Sequence, residues 1–576
     1  MTREPESMLA LDVGNAYVKA TLVDRVGDAH RFVARGVAPQ IASVASVGAL
    51  RAPLLACVGD LEDVSGRRLA DREGRPIVPE QLGVGVDAVG GVVSVLGPLE
   101  VAVCSLKTDA NLQYAEGALH SVASAVVARI TGQEIAARRG AFESFAQTIR
   151  NRPPHVLLLV GGDERKPDRA VVAMAEALAV AVSLLRPDQR PTLLYAGPQA
   201  LRQAITSAAA ESMPVRMVQC PAPDGRSADL GPLRRELDLL HLSLLGSDGK
   251  GLEAVWRWCG GRVTSVGQAM LRAYSQHEVD VLAADVGSLS TVLVRTGHGQ
   301  VLVERGCGVG QGAQPLLRRI GAERLLRWVA SEGVGEAEVT DWSLNRQLRP
   351  WLRAATPGET EIELACAREA LAAARQGAAA AWPEGWDYPD SLPPRVDMVV
   401  GGGAVLGRYH SLGRAAAVLI DGLQPVGVCR LALDWGNLAT GLGALAELNP
   451  AAVLSVLERD GVLLLGTLVA PVGRSRFGRE VVRLTVTGPG SQTAELKVSA
   501  GDLIRLPLAP GARARATIRP ARGYDVGAGR GQGLEVEVEG GPLGLVIDAR
   551  GRPLPENENP ADRRRLLRRW LQALEA

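Results

Sequence analysis

The 576-residue sequence predicts an α/β protein made of a duplicated lobe with a small β domain near its C-terminal end. Three observations carry that expectation. A strand–turn–strand unit with an acid and a glycine in its turn occurs twice, about half a chain apart. Short apolar strands closed by glycine turns and followed by helical stretches surround both copies, as in a parallel sheet. From about Pro471 onward, apolar and polar residues alternate between Gly and Pro turns, the signature of short half-buried strands.

The elements follow in order. Met8–Leu11 is an apolar strand that meets Asp12-Val-Gly14, and a second strand alternates through Val18, Ala20 and Leu22. The same design returns at Val281-Leu-Ala-Ala-Asp285-Val-Gly287 and runs on to Val294. No period of 20–50 residues is present, so this is a duplicated domain and not a solenoid. Between the copies, Val156–Val160 ends at Gly161-Gly162-Asp163 before a helix over 168–185. Thr192–Tyr195 ends at Ala196-Gly197-Pro198 before a helix reaching about Glu211, and Val215–Val218 is the next strand. Beyond the second hairpin, 311–332 and 361–381 read as helices, and Val396–Val400 as a strand running into Gly401-Gly402-Gly403 and a further helix. Asn449-Pro450 is an N-cap with proline at the first helical position. Leu566, Leu567 and Trp570 give the basic terminal segment an apolar face for docking. The expected units are a first lobe with βα insertions over 1–275, a second lobe over 276–470, the β domain over 471–556 and a basic helix over 557–576.

The candidate chemistry lies in three glycine-bearing turns. Nucleotide phosphates need backbone N–H groups that no Cβ shields, and glycine in a tight turn provides them. Gly14 and Asn15 stand in the first turn, and Gly287, Ser288, Ser290 and Thr291 in or beside the second. Asp12 and Asp285, at the entries, are the candidate catalytic carboxylates and the candidate Mg2+ ligands, because Mg2+ takes hard oxygens, largely through its own waters. Gly401, Gly402 and Gly403 let the backbone pass flat against an adenine or ribose. An Asp-x-Gly turn alone is most often only a turn. The ordered conjunction is the signal.

Two related hairpins, followed about 115 residues later by strand-GGG-helix, resemble the phosphate-1, phosphate-2 and adenosine segments of the actin/hexokinase/chaperone superfamily. That resemblance implies two actin-like ATPase lobes of ribonuclease H-like topology. The succession LALDVGNAYVKATLVD, LLLVGGD, LLYAGPQALRQAI, LAADVGSLSTVLV, DMVVGGGAVLG and ALDWGNLATGLGALAELNPAAVLSVLERDG narrows it. It resembles the MutL family associated with glutamate mutase, unrelated to the mismatch-repair protein of that name, over roughly residues 8–470. The resemblance implies ATP and Mg2+ as cofactors. It also implies an adenosylcobalamin-dependent mutase subunit as the partner that the chain reactivates or chaperones. Carried over by position, Asp12 and Gly14 form the first phosphate turn, with Lys19 either reaching a phosphate oxygen or serving as a plain strand lysine. Asp285 and Gly287 form the second, with Ser290 or Thr291 as a contacting hydroxyl. Gly401 to Gly403 flank the adenosine. Asp434-Trp-Gly-Asn437 is a fourth polar turn near the site, or equally a cap for the next helix.

The sequence departs from the family pattern at several turns. Asn15-Ala16 replaces a hydroxyl pair, the GGTDGG-like loop is reduced to Gly161-Gly162-Asp163-Glu164-Arg165-Lys166, and the CSSAAGGL-like run to Cys104-Ser105-Leu106-Lys107. Arg305 stands where an acid is expected. Binding tolerates such changes better than hydrolysis, which needs an oriented water and stabilised transition-state charge. The expected function is therefore an ATP-binding, slowly hydrolysing reactivation or assembly factor. The alternative is a non-catalytic, nucleotide-gated scaffold or filament former. A sugar- or acetate-type kinase would place a catalytic Asp between the hairpins, where Asp109 and Asp163 are unconvincing.

Composition excludes other classes. Sixty-four Lys and Arg balance 63 Asp and Glu, which leaves no large field for nucleic acid or an anionic membrane. Seven scattered cysteines make neither a disulfide framework nor a zinc pattern. No GxxxxGK[ST], GxSxG, HExxH or cobalamin-type D-x-H-x-x-G loop is present. The start carries no signal-peptide pattern, so the expected location is cytoplasmic. Oligomeric state is not legible.

Overall fold

The computed structural model describes residues 4–40, 50–223, 229–246, 252–382, 391–407, 411–474, 477–488, 493–555 and 559–575. The chain divides into two compact units, one of residues 1–95 with 251–576 and one of residues 96–250.

In the larger unit, a five-stranded sheet runs in the order Val263–Ser265, Ala88–Val93, Met8–Val13, Tyr17–Val26, Ala29–Pro39. Met8–Val13 is antiparallel to Tyr17–Val26 and parallel to Ala88–Val93. A second sheet repeats this plan, with Gly427–Asp434, Met398–Gly402, Val281–Val286, Ser290–Arg295 and Gln300–Arg305 in the corresponding places. Three antiparallel strands followed by two parallel ones, twice, is the ribonuclease H-like duplication. Both central strands are apolar but for one aspartate each, Asp12 and Asp285, because both faces are covered. The turns match in detail: Gly14 N–H donates to Tyr17 O at 2.9 Å, and Gly287 N–H to Ser290 O at 2.9 Å.

In each copy the last strand leads into a short helix, Val266–Tyr274 in the first and Ala439–Leu445 in the second. The two helices pack closely, and a Cβ at Gly443 would overlap the carbonyl of Ala269. A Cβ at Gly90, on the first sheet, would stand 2.7 Å from Ala444 O.

The region over 471–556 is less separate than its composition suggests. Val462–Ala470 pairs with Gly427–Asp434, and Gly544–Asp548 and Leu503–Leu506 follow it, so the second sheet grows to eight strands. Only Thr493–Ser499, Glu480–Thr487, Arg513–Pro520 and Leu534–Glu539 form a sheet of their own, antiparallel throughout. The terminal helix Pro560–Glu575 docks as its apolar face predicts: Leu567 and Leu574 are buried, and Trp570 Nε1 donates to Gly501 O at 3.0 Å.

The smaller unit is an all-parallel sheet in the order Ser124–Thr131, Leu99–Ser105, Val156–Val160, Thr192–Ala196, Val215–Val218. Its strands feed two cores. Ala102, Cys104, Leu157 and Leu159 face one, and Val101, Val103, Leu158 and Val160 the other, which is the period of two expected of a doubly covered strand.

Some helices differ from expectation. The stretch 311–332 breaks at Gly321, whose φ is 82°, into Ala313–Ile320 and Ala322–Leu326. The helix after the triple glycine is a single turn, Gly403–Leu406, and residues 408–410 lie outside the described ones. All seven cysteines are buried and free. Among the described residues no helix is long and apolar enough to cross a membrane.

Candidate functional site

The first turn is held by its own register. Asp12 and Lys19 lie directly opposite across the hairpin, where cross-strand side chains meet. Lys19 Nζ stands 2.7 Å from Asp12 Oδ2, with both side chains largely buried. Lys19 is therefore neither a free surface lysine nor an unpaired cation. Asn15 Nδ2 donates to Ser94 O at 3.0 Å and shapes the loop. The backbone N–H groups of Asn15 and Ala16 donate to no described residue.

The second turn has the same backbone but a different charge environment. Asp285 faces Val292 across its hairpin, so it has no lysine of its own. No described residue hydrogen-bonds its carboxylate, and its pKa is pushed up to about 6. Burial is the main cause. Lys19 pulls the value down and Asp12 pushes it up, so the two aspartate turns share one electrostatic environment. Here again the turn-tip amides, those of Ser288 and Leu289, donate to no described residue.

The hydroxyls beside this turn have separate fates. Thr291 is fully buried and donates to Cys307 O at 2.7 Å, a structural bond. Ser288 Oγ accepts from Gln311 N–H at 3.2 Å, while Ser288 O accepts from Gly310 and Gly312 at 2.8 Å each. Ser290 has no described side-chain partner. The segment Gly308–Gly312 thus lies against the turn, and a Cβ at Gly308 would stand 2.6 Å from Ser288 O.

The third turn places glycines between carboxylates. Gly402 is in register with Asp285 on one side. On the other, a Cβ added to Gly402 would stand 3.2 Å from Asp434 Cβ. Asp285, Gly402 and Asp434 therefore stand at the carboxyl ends of three adjacent parallel strands, where α/β folds bind ligands. Gly403 needs its glycine: its φ is +95°, and a Cβ would collide with the Val286 backbone. Gly401 is different, because its Cβ position points at Leu419 beneath the sheet.

Asp434-Trp-Gly-Asn437 serves both as cap and as part of the site. Asp434 Oδ1 accepts from Leu438 N–H at 2.8 Å and Ala439 N–H at 3.3 Å, capping the helix that follows. Burial nevertheless pushes its pKa up to about 7, with the two amides opposing and the Asp285 charge adding. Asn437 Oδ1 accepts the Gly403 N–H at 2.7 Å. Arg35, from the first sheet, donates to the Gly436 carbonyl and to Asn437 O, at 3.1 Å for the latter.

Arg35, the Gly308–Gly312 segment and the closeness of Asp434 to Asp285 escape a linear reading. Only the alternating glycines of Gly306-Cys-Gly308-Val-Gly310-Gln-Gly312 leave a local trace. Asp109 and Asp163 lie in the smaller unit with structural bonds, Asp109 to Leu112 N–H at 3.0 Å and Asp163 to Arg165 N–H at 2.8 Å. Among the described residues no group of three or more His, Cys, Asp or Glu is arranged to enclose a metal. Asp12 and Asp285 instead suit a hard cation that keeps most of its waters.

Duplicated ribonuclease H-like sheets with an acid-glycine turn at each entry define the actin-like ATPase fold class. Within that class the chain belongs to the MutL protein family, whose sequence model matches residues 8–461. No curated protein matches it. Among solved structures it is similar to an acetone carboxylase in its nucleotide-free form, at 11% identity over 86% of this chain and 81% of that one, TM-score 0.30. It is similar also to xylulose kinase from Bifidobacterium adolescentis, at 12% identity over 80% and 96%, TM-score 0.28. A glycerol dehydratase reactivase gives 11% identity over 77% and 99%, TM-score 0.26. These likenesses are loose, and the fold assignment rests on strand order and family.

Proposed function

We propose that the chain is an ATP-binding reactivation or assembly factor for an adenosylcobalamin-dependent mutase, with Mg·ATP held between the two aspartate turns. One observation carries the binding half of this reading. Four turn-tip amides, two in each hairpin, have no partner among the described residues, beside a half-buried carboxylate, Asp285, that has none there either. Unpaired N–H groups at such turns suit phosphate oxygens. The client half follows from membership of a family associated with glutamate mutase.

In this reading the amides of Asn15, Ala16, Ser288 and Leu289 cradle phosphates. Asp12 and Asp285 hold Mg2+ through its waters, and the cation neutralises phosphate charge. Gly402 and Gly403 admit the nucleoside where a side chain would collide. Lys19 stays on Asp12 or turns to a phosphate oxygen, since both lie on the same face of the turn.

Asp285→Ala is expected to weaken Mg2+-dependent ATP binding by at least about tenfold, the worth of one charge-assisted contact. Unchanged affinity in isothermal titration would sink the site. A non-hydrolysing, nucleotide-gated scaffold is favoured by a separate observation: Lys19 already occupies Asp12, so Asp285 is the one turn aspartate with no hydrogen-bonding partner. Phosphate release measured with and without a candidate mutase, alongside light scattering for polymers, separates the two readings.

A further inference from the structure

The two aspartate hairpins are also joined by a strap from outside both sheets. After the helix Glu336–Leu348 the chain turns back over Arg349–Leu352. Arg349 N–H donates to Asn345 O at 2.9 Å, and Leu352 N–H to Arg349 O at 3.1 Å. The middle of this strap touches both hairpins. Tyr17 is the residue after Ala16 and the first of the strand Tyr17–Val26. Its hydroxyl donates to Trp351 O at 2.6 Å, at the short end for such bonds. Pro350 is buried against Gly310, where a Cβ would stand 3.1 Å from Pro350 Cβ. Gly310 N–H in turn donates to Ser288 O in the second turn at 2.8 Å. The base of the strap is firm. Val339 and Trp342 are buried, and Arg346 pairs with Glu363 of the helix Pro357–Ala381. Cys366 of that helix donates to Gly308 O at 3.5 Å.

We infer that this strap carries the occupancy of the two turns to the end of the helix Glu336–Leu348, with the Tyr17–Trp351 bond as the coupling contact. This coupling rests on the turns being the phosphate site proposed above. An anion that accepts from Asn15 and Ala16 on one side and from Ser288 and Leu289 on the other draws both turns onto one set of oxygens. The Ala16 amide is one residue from Tyr17, and Ser288 is tied to Gly310 and so to Pro350. The ligand therefore fixes both anchors of the strap at once, and the hydroxyl bond loses less freedom when it forms on a frame already ordered. Coupling of this kind is reciprocal. A ligand that holds the contact closed by a given factor binds more weakly by the same factor once the contact is removed. Tyr17 is thus a positioning residue for the first turn, and the last turn of the helix is where its state is read.

The test is amide hydrogen exchange of the full chain with and without Mg·ATP, alongside isothermal titration of ATP, in the native protein and in Tyr17→Phe. That substitution removes the hydroxyl and keeps the ring. The hydrogen-bonded amides of Arg349 and Leu352 are the reporters. In the native chain Mg·ATP is expected to slow their exchange by about threefold to tenfold, the worth of one hydrogen bond. In Tyr17→Phe the slowing should vanish, and ATP affinity should fall by the same factor to within about twofold, as reciprocity requires. A hydroxyl that only supports the fold would speed exchange in the ligand-free variant and leave both the ATP response and the affinity at native values, which overturns the coupling. Heat of ATP binding with no change at the reporters in the native chain overturns the coupling alone. No heat from ATP in the native chain overturns the phosphate site and the coupling together.

Discussion

Asp12 and Asp285 occupy the same position in two copies of one hairpin, yet their surroundings treat their charge differently. Asp12 has Lys19 at 2.7 Å, while Asp285 is half-buried with no cation of its own, and burial pushes its pKa up from 3.8 to about 6. A cation binds the ionised carboxylate. Mg2+-dependent affinity should therefore fall as pH drops below about 6, by up to about tenfold per unit for one proton, and titration calorimetry at pH 5 and pH 7.5 measures this. Stability runs the other way. Between 3.8 and about 6 the folded chain holds a proton at Asp285 that the unfolded chain releases, so this group's contribution falls as pH rises through that window. Asp285→Asn should thus stabilise the ligand-free protein at pH 7.5 by on the order of 1–2 kcal/mol, discounted for partial exposure, and leave it unchanged at pH 3.5. The Asp12–Lys19 pair was legible in principle, since a hairpin centred between Asn15 and Ala16 sets residues 12 and 19 opposite. The resemblance set the Asp434 turn near the site, but its place beside Asp285 was not legible, because Asp434 lies far along the chain and arrives through a third strand.

At the scale of elements, glycine decides how closely the two site helices approach. Gly443→Val would drive a branched side chain into the Ala269 carbonyl and should destabilise the protein by about 2–3 kcal/mol, as overpacking does. Gly59, inside the helix Arg51–Ser65, has open space where a Cβ would stand. Gly59→Ala should stabilise by about 0.5–1 kcal/mol. Denaturant melts of the two variants should move in opposite directions, and a shared direction would contradict the packing. Strands covered on both faces announce themselves as apolar runs, which is why Val156–Val160 was placed to the residue. The helix Glu336–Leu348 was missed for the converse reason. Two of its buried residues are Ser343 and Arg346, the latter paired with Glu363, so its buried face is not an apolar stripe.

At the scale of the molecule, residues 96–250 form a compact unit with a complete sheet and a core on each face. Expressed alone, this segment should fold and melt cooperatively by circular dichroism. A featureless melt would show that its cores depend on the rest of the chain. The β region beyond Pro471 teaches the opposite lesson. Its alternation identified strands, but Leu503–Leu506 and Gly544–Asp548 join the second sheet, because alternation records which face is apolar and not which strand lies alongside.

Taken alone, the chain of residues determined the two acid-glycine hairpins, the doubly covered strands, the Asn449 cap and, through the order of its motifs, the family. The hairpins, strands and cap are each written within a few residues by apolar period, turn chemistry or capping. Tertiary structure decided that Lys19 neutralises Asp12 and not Asp285, and that Asp434 ends beside Gly402. These depend on register and burial between segments far apart in sequence, and the free energy of a charge is set by the neighbours that folding brings to it.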